Sequence, residues 1–297
     1  MTLLIPPDTG LQLLYKKNPM HKILLTQDAR HLNMSSVEFA CYLARLTKSK
    51  LTGVFLEDVL ADHPEWAASA AYGVPVSGHT LPDAVEAKTE SAAEENIRIF
   101  REACVCREVV SRVHRDRGIP LAEMLEESRF ADLIVADPEI SFRERPAPPP
   151  APFVTDMLAD AECPVVLSPA SYDRIDEIIF AYNGTAAAVW AIKQFTYLFP
   201  EYREKKVSVV SVREGDDNSM EESYKIKEWL REHYQDVEFH LLQGNSTDQL
   251  FGYLLERKNA FVVMGAYGRG LLSRFFRPSH ARLIVRTLNL PIFIAHP

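Results

Sequence analysis

Short, almost uninterrupted apolar runs alternate along the chain with longer segments in which apolar residues recur every three or four positions. The clearest runs are Ile23-Leu24-Leu25, Ala131-Asp-Leu-Ile-Val-Ala136, Ile178-Ile179-Phe180 and Ala260-Phe-Val-Val-Met-Gly265. Runs of strand length without alternation predict strands buried on both faces, as in a parallel sheet covered by helices. In the second half the spacing predicts strand 178–182, then a helix carrying Val189, Ile192, Phe195 and Phe199. Strand 207–212, a helix through 224–234, strand 237–242, helix 248–257 and strand 261–264 follow. Helix 281–287 and strand 291–295 close the pattern.

Three landmarks recur in the same order in both halves. Ile23-Leu24-Leu25 answers to Ile178-Ile179-Phe180, the 131–136 run to the 260–265 run, and Cys163-Pro-Val-Val-Leu167 to Leu290-Pro-Ile-Phe-Ile294. Each of the last pair is a strand introduced by proline, where a missing amide does least harm. The first pair is spaced more widely in number than the other two, so the first half holds extra residues. They are placed between Asp58 and Glu95, where Pro64, Gly73, Pro75 and Gly78 interrupt the strand-helix alternation.

The expected organisation is an N-terminal extension, 1–19, a first domain, 20–170, with an insertion near 58–95, and a second domain, 171–297. The fold class is α/β: two tandem domains, each a five-stranded, mostly parallel sheet flanked by helices with right-handed crossovers.

Composition supports this and narrows the function. Of 297 residues, 47% are hydrophobic and 25% charged, the balance of ordinary globular domains, and the length suits two cores. A net charge of -8 gives no basic surface for a nucleic-acid backbone. No run approaches a membrane span, and the apolar pieces before Lys16 and Lys17 are in the wrong order for a secretory signal. Cys41, Cys104, Cys106 and Cys163 lack zinc-site spacing and suit a reducing cytoplasm. Cys104 and Cys106 should face different sides of a helix, and Cys163 reads as a buried apolar side chain. No local nucleophile, base and acid arrangement and no metal-ligand cluster is present, so no catalytic or metal residue is assigned. The acidic run 214–222 reads as a solvated loop and helix start, and Trp66 and Tyr72 as packing within the insertion.

Ligands of such sheets bind beyond the carboxyl ends of the strands. There, after the fourth strand of the second half, stands Gly265-Ala-Tyr-Gly268-Arg269-Gly270, followed by Pro278-Ser279 at a helix start, with Arg274 and Arg277 nearby. Glycines permit positive φ and close approach of backbone amides, and a helix N-terminus favours an anion, so this loop suits a phosphate.

With these residues, the chain resembles a tandem universal stress protein over about residues 20–297. In the second half the resemblance rests on Tyr182-Asn183-Gly184-Thr185, Gly244-Asn245, the loop 265–279 and the closing Pro291 strand. In the first it rests on 25–28, 132–135 and 163–167. It implies an adenine nucleotide alpha hydrolase-like, Rossmann-like fold and, where the glycine signature is complete, binding of ATP or another adenine nucleotide. Asn183 and Gly184 would then lie near the ribose, and main chain around Val212 would face adenine. Gly265, Gly268, Arg269 and Gly270 would line sugar and phosphates, and Ser279 would cap a phosphate. It also implies pairing of the two domains through their last strands within the chain, and admits a homodimer.

Two departures bear on affinity. Pro278 replaces a glycine and offers no amide, although proline suits a helix start. Asn183 replaces an aspartate and is a poorer partner for Mg²⁺, so magnesium is left open. The first half departs further. Asp137-Pro-Glu139 places carboxylates where phosphates would sit, a proline-rich connector follows at 145–152, and Asp28 reads as a turn residue. Three readings follow: a stress-related regulatory protein binding adenine nucleotide in its second domain, a nucleotide-free interaction or dimerisation module, and a slow ATPase.

Overall fold

The computed structural model describes residues 20–58, 83–142, 150–213, 221–265 and 289–297. The first half contributes β1 (Lys22–Asp28), α1 (Met34–Thr47), β2 (Lys50–Asp58), α2 (Asp83–Cys106) and β3 (Ser111–Gly118). It continues with α3 (Pro120–Ser128), β4 (Leu133–Ala136), α4 (Pro152–Asp160) and β5 (Val165–Leu167). The second half contributes β6 (Glu177–Ala181), α5 (Ala186–Leu198), β7 (Lys206–Arg213), α6 (Glu221–His233) and β8 (Val237–Gln243). Then come α7 (Ser246–Leu255), β9 (Ala260–Gly265) and β10 (Ile292–Ala295).

Hydrogen bonding joins all ten strands into one sheet of order β3-β2-β1-β4-β5-β10-β9-β6-β7-β8. Each half is a parallel five-stranded unit. The two meet at β5 and β10, which run antiparallel with Ile292 opposite Leu167 and Ile294 opposite Val165. This is the pairing of last strands that the resemblance implies, realised within one chain. The prolines before β5 and β10 use the group they retain: the Pro164 carbonyl accepts from the Ile134 amide and the Pro291 carbonyl from Val262.

Alternation along each strand divides the apolar side chains between two cores. Ile23, Leu25, Leu133, Val135, Ile178, Phe180, Phe261, Val263 and Phe293 enter one, covered by α1, α2, α5 and α6. Their neighbours Leu24, Ile134, Ile179, Val262, Ile292 and Ile294 enter the other, with α3, α4 and α7. Each core runs through both halves. On the first face, Phe39 of α1 meets Phe261 of β9 edge to face at 6.2 Å, and the Tyr42 and Tyr202 hydroxyls are 2.9 Å apart.

The expected strands of the second half lie within a residue or two of those observed. Helix 281–287 lies outside the described residues. β3, at one edge of the sheet, has no apolar signal because its sequence is SRVHRDRG. Side-chain ion pairs support it: Arg115 bonds Glu57 at 2.6 Å and Glu90 at 2.6 and 2.8 Å. The crossover from β2 to β3 spans 59–110 and its counterpart from β7 to β8 only 214–236. Of the segment expected as an insertion, 83–95 is the start of the long helix α2, while 59–82, with Trp66 and Tyr72, lies outside the described residues.

Candidate functional site

In each half the first strand is flanked by the second strand on one side and the fourth on the other. Successive crossovers therefore depart in opposite directions, leaving a crevice at the carboxyl ends of β1 and β4, and another at those of β6 and β9. The expected site residues that are described fall at the second crevice. Asn183 and Gly184 follow β6, Val212 is near the end of β7, and Gly265 ends β9. Gly268, Arg269, Gly270 and Ser279, with Pro278, lie outside the described residues.

The loop from β6 into α5 is a compact cap. Gly184 has φ 77°, a conformation that favours glycine. The Asn183 side-chain oxygen accepts from the Thr185 hydroxyl at 2.6 Å and from its amide at 3.3 Å. The Thr185 hydroxyl in turn accepts from the Ala188 amide at 3.3 Å and caps α5. The oxygen of Asn183 is thus engaged within its own turn.

Of the two properties that favour glycine in this loop, positive φ and close backbone approach, Gly265 shows the second, toward α5. The glycines with positive φ among the described residues are Gly184 and Gly244. At Gly265 the constraint is proximity: a Cβ would lie 2.4 Å from the Ala187 carbonyl carbon, 2.5 Å from its oxygen and 2.6 Å from the Ala188 nitrogen. Only a residue without a side chain lets the first turn of α5 approach this closely to the end of β9.

These elements enclose a cleft of about 110 Å³. Val210, Val212, Leu250, Met264, Ala181 and Ala188 make its walls apolar, and Asn183, Ser246 and Thr247 give it polar groups. Ser246 and Thr247 open α7, whose cap is Asn245, accepting from the Thr247 amide at 3.0 Å and the Asp248 amide at 3.2 Å. Ser246, Thr247 and Leu250 were not singled out from sequence. Gly244-Asn245 marks the turn before them, and α7 folds the next residues back over the end of β7. No carboxylate lines the described walls of this cleft.

The first crevice is roomier, about 370 Å³, but chemically different, with Gln27, Asp28, His31, Asn33, Asp137 and Glu139 in its lining. Asp28 is buried and behaves as a turn residue, accepting from the Arg30 amide at 2.9 Å and meeting His31 Nδ1 at 3.1 Å. The Asn33 side-chain amide donates to the Asp137 carboxylate at 2.6 Å, crossing the crevice from the start of α1 to the end of β4. Asp137 also accepts from the Glu139 amide at 2.9 Å. Carboxylates held here oppose an anionic ligand at short range. Residues 143–149 of the proline-rich connector lie outside the described residues.

Among the described residues no group of three His, Cys, Asp or Glu side chains is placed to hold a metal ion, and no helix is long and apolar enough to cross a membrane.

No family model matches the chain, and no curated protein matches it in sequence. Solved structures do match it in shape. A universal stress protein from Archaeoglobus fulgidus superposes with a TM-score of 0.67 at 15% identity, covering 93% of this chain and 96% of that one. A protein of unknown function from Pseudomonas aeruginosa PAO1 superposes with a TM-score of 0.55 at 16% identity, covering 94% of each chain. At such identities the likeness is one of fold, and it extends over both halves at once: the chain carries the tandem α/β fold seen in the universal stress protein of A. fulgidus.

Proposed function

We propose that the chain is a stress-related regulatory protein of the universal stress type, whose second half holds one adenine nucleotide, ATP or a close relative. The observation that carries this reading is the cleft at the β6/β9 crevice, apolar where a base would lie and free of carboxylates in its described lining. Val210, Val212, Leu250 and Met264 offer a dry slot for a purine ring. Asn183, Ser246 and Thr247 offer groups that hydrogen-bond ribose hydroxyls. The loop 266–279 supplies the phosphate contacts in this reading. The acidic first crevice makes the expected stoichiometry one nucleotide per chain.

A second reading, a nucleotide-free interaction module, draws on two observations. The Asn183 oxygen is engaged by Thr185, and Gly265 is required by its contact with α5, so both residues have a role without any ligand.

Isothermal titration of the full chain with ATP, with and without Mg²⁺, separates the two. The expected result is saturable binding near one site per chain that Val212→Trp, filling the cleft from its half-buried edge, weakens at least about tenfold. Absence of binding by the wild type, together with no adenine nucleotide released on denaturing the purified protein, overturns the nucleotide reading in favour of the second. Binding unchanged by Val212→Trp places the site elsewhere.

A further inference from the structure

Helices α1 and α2 bring two thiols together beneath the first face of the sheet. Cys41 Sγ and Cys104 Sγ lie 3.8 Å apart although 63 positions separate them in sequence. Both are buried, at 1% and 0% exposure, and both are free. At 3.8 Å the sulfurs are in van der Waals contact, and a disulfide needs a further approach to about 2.05 Å.

The surroundings divide the roles of the two. Arg107, one turn beyond Cys104, donates to Glu38 at 2.6 Å and to the Ala103 carbonyl at 3.2 Å, keeping a cation beside the pair. Hydrogen bonding from Cys41 lowers the Cys104 thiol below its ordinary range against the opposing effect of burial, with Ser111 and Arg107 adding to the lowering. Cys41 is pushed up, first by the same hydrogen bond and then by burial. These influences favour the thiolate at Cys104 over Cys41. Cys104 lies in the last turn of α2, which ends at the exposed Cys106, and the terminal turn of a helix opens most readily.

We propose that Cys41 and Cys104 form a reversible dithiol-disulfide pair that ties α1 to α2. With a hydroperoxide as oxidant, the Cys104 thiolate attacks one peroxide oxygen and the O–O bond breaks, giving a sulfenic acid and hydroxide or alkoxide, which takes up the proton released when the Cys104 thiol ionised and leaves as water or alcohol. The Cys41 sulfur then attacks the sulfenic sulfur, the S–O bond breaks, and the thiol proton leaves with hydroxide as water. Two electrons pass from the two sulfurs to the peroxide, and an external dithiol returns them.

The bond acts on the contact between the halves, because Cys41 sits between Phe39, against Phe261, and Tyr42, against Tyr202. Oxidation pins α1, the first-half helix that carries both contacts.

The test uses the full chain as wild type and as the Cys106→Ser/Cys163→Ser variant, in which only the pair remains. Treatment with equimolar hydrogen peroxide should lower the intact mass by about 2 Da, reversed by dithiothreitol. Peptide mapping should join residues 41 and 104, and the melting temperature should rise by about 5 °C or more. Adding Cys104→Ser should abolish the mass loss. Gain of oxygen without loss of two hydrogens, a linkage through Cys106 or Cys163 in the wild type, or a mapped 41–104 bond with an unchanged melting temperature overturns the proposal.

Discussion

Replacing Gly265 with alanine tests whether this position is fixed by the packing of α5. The new Cβ would lie 2.4–2.6 Å from backbone atoms of Ala187 and Ala188, against about 3.4 Å for ordinary contact, so the two elements must part by about 1 Å. β9 cannot retreat, since it is bonded to β10 on one side and β6 on the other. α5 must lift, loosening Ala188, Ala191, Ile192 and Phe195 from the core they fill. Overpacking of this kind costs about 2–4 kcal/mol, and the stiffer unfolded chain returns about 0.5–1 kcal/mol. The net loss is about 1–3.5 kcal/mol, a fall in melting temperature of about 3–10 °C. Gly252 is the control: it is exposed within α7 and a Cβ there meets nothing within 4 Å. Gly252→Ala should therefore gain about 0.5–1 kcal/mol from helix propensity. Urea denaturation followed by circular dichroism reads both. A Gly265→Ala midpoint equal to or above wild type at unchanged slope would refute the packing argument.

Two further substitutions probe the halves' contact and the acid limb. Tyr42→Phe leaves the buried Tyr202 hydroxyl without its 2.9 Å partner and should cost about 1–3 kcal/mol in urea denaturation, and an unchanged midpoint would remove this bond from the stabilising contacts. Burial raises the Glu127 carboxyl, but bonds from Lys22 at 3.0 Å and His114 at 2.5 Å outweigh it and hold it below the usual glutamate range. Its contribution is therefore present above the unfolded-state value and lost as pH falls through the lower folded-state value. Glu127→Gln should cost about 1 kcal/mol at about pH 7, screening included, and the gap to wild type should close progressively as pH falls below the usual glutamate range. A gap that persists in acid would show that the charge is not what stabilises.

Much of the fold was legible because both faces of the sheet are buried. Runs such as Leu133–Ala136 and Ala260–Gly265 must then be apolar at every position, and the prolines before β5 and β10 mark strand starts in both halves. β3 was not legible: at its edge of the sheet it exposes much of its surface and carries Arg112, Arg115 and Arg117, whereas β8 at the opposite edge keeps the alternating Val237, Phe239 and Leu241 that the pattern registers. At the candidate site, the turn Asn183–Thr185 and the glycine ending β9 stand out as residue types. Ser246, Thr247 and Leu250 do not, since their place beside the cleft depends on how α7 folds over β7.

The sequence by itself determined that two similar α/β units follow one another, where their buried strands lie, and that the first unit sets carboxylates where the second sets glycines. These are matters of local pattern, and the burial of each strand writes them into its own residues. Tertiary structure decided the rest. It merged the two sheets through β5 and β10, gave Gly265 to helix packing rather than to a special backbone angle, and crossed the first crevice with the Asn33–Asp137 bond. It also set Cys41 against Cys104. Each of these depends on distances between residues far apart in the chain, which no local spacing encodes.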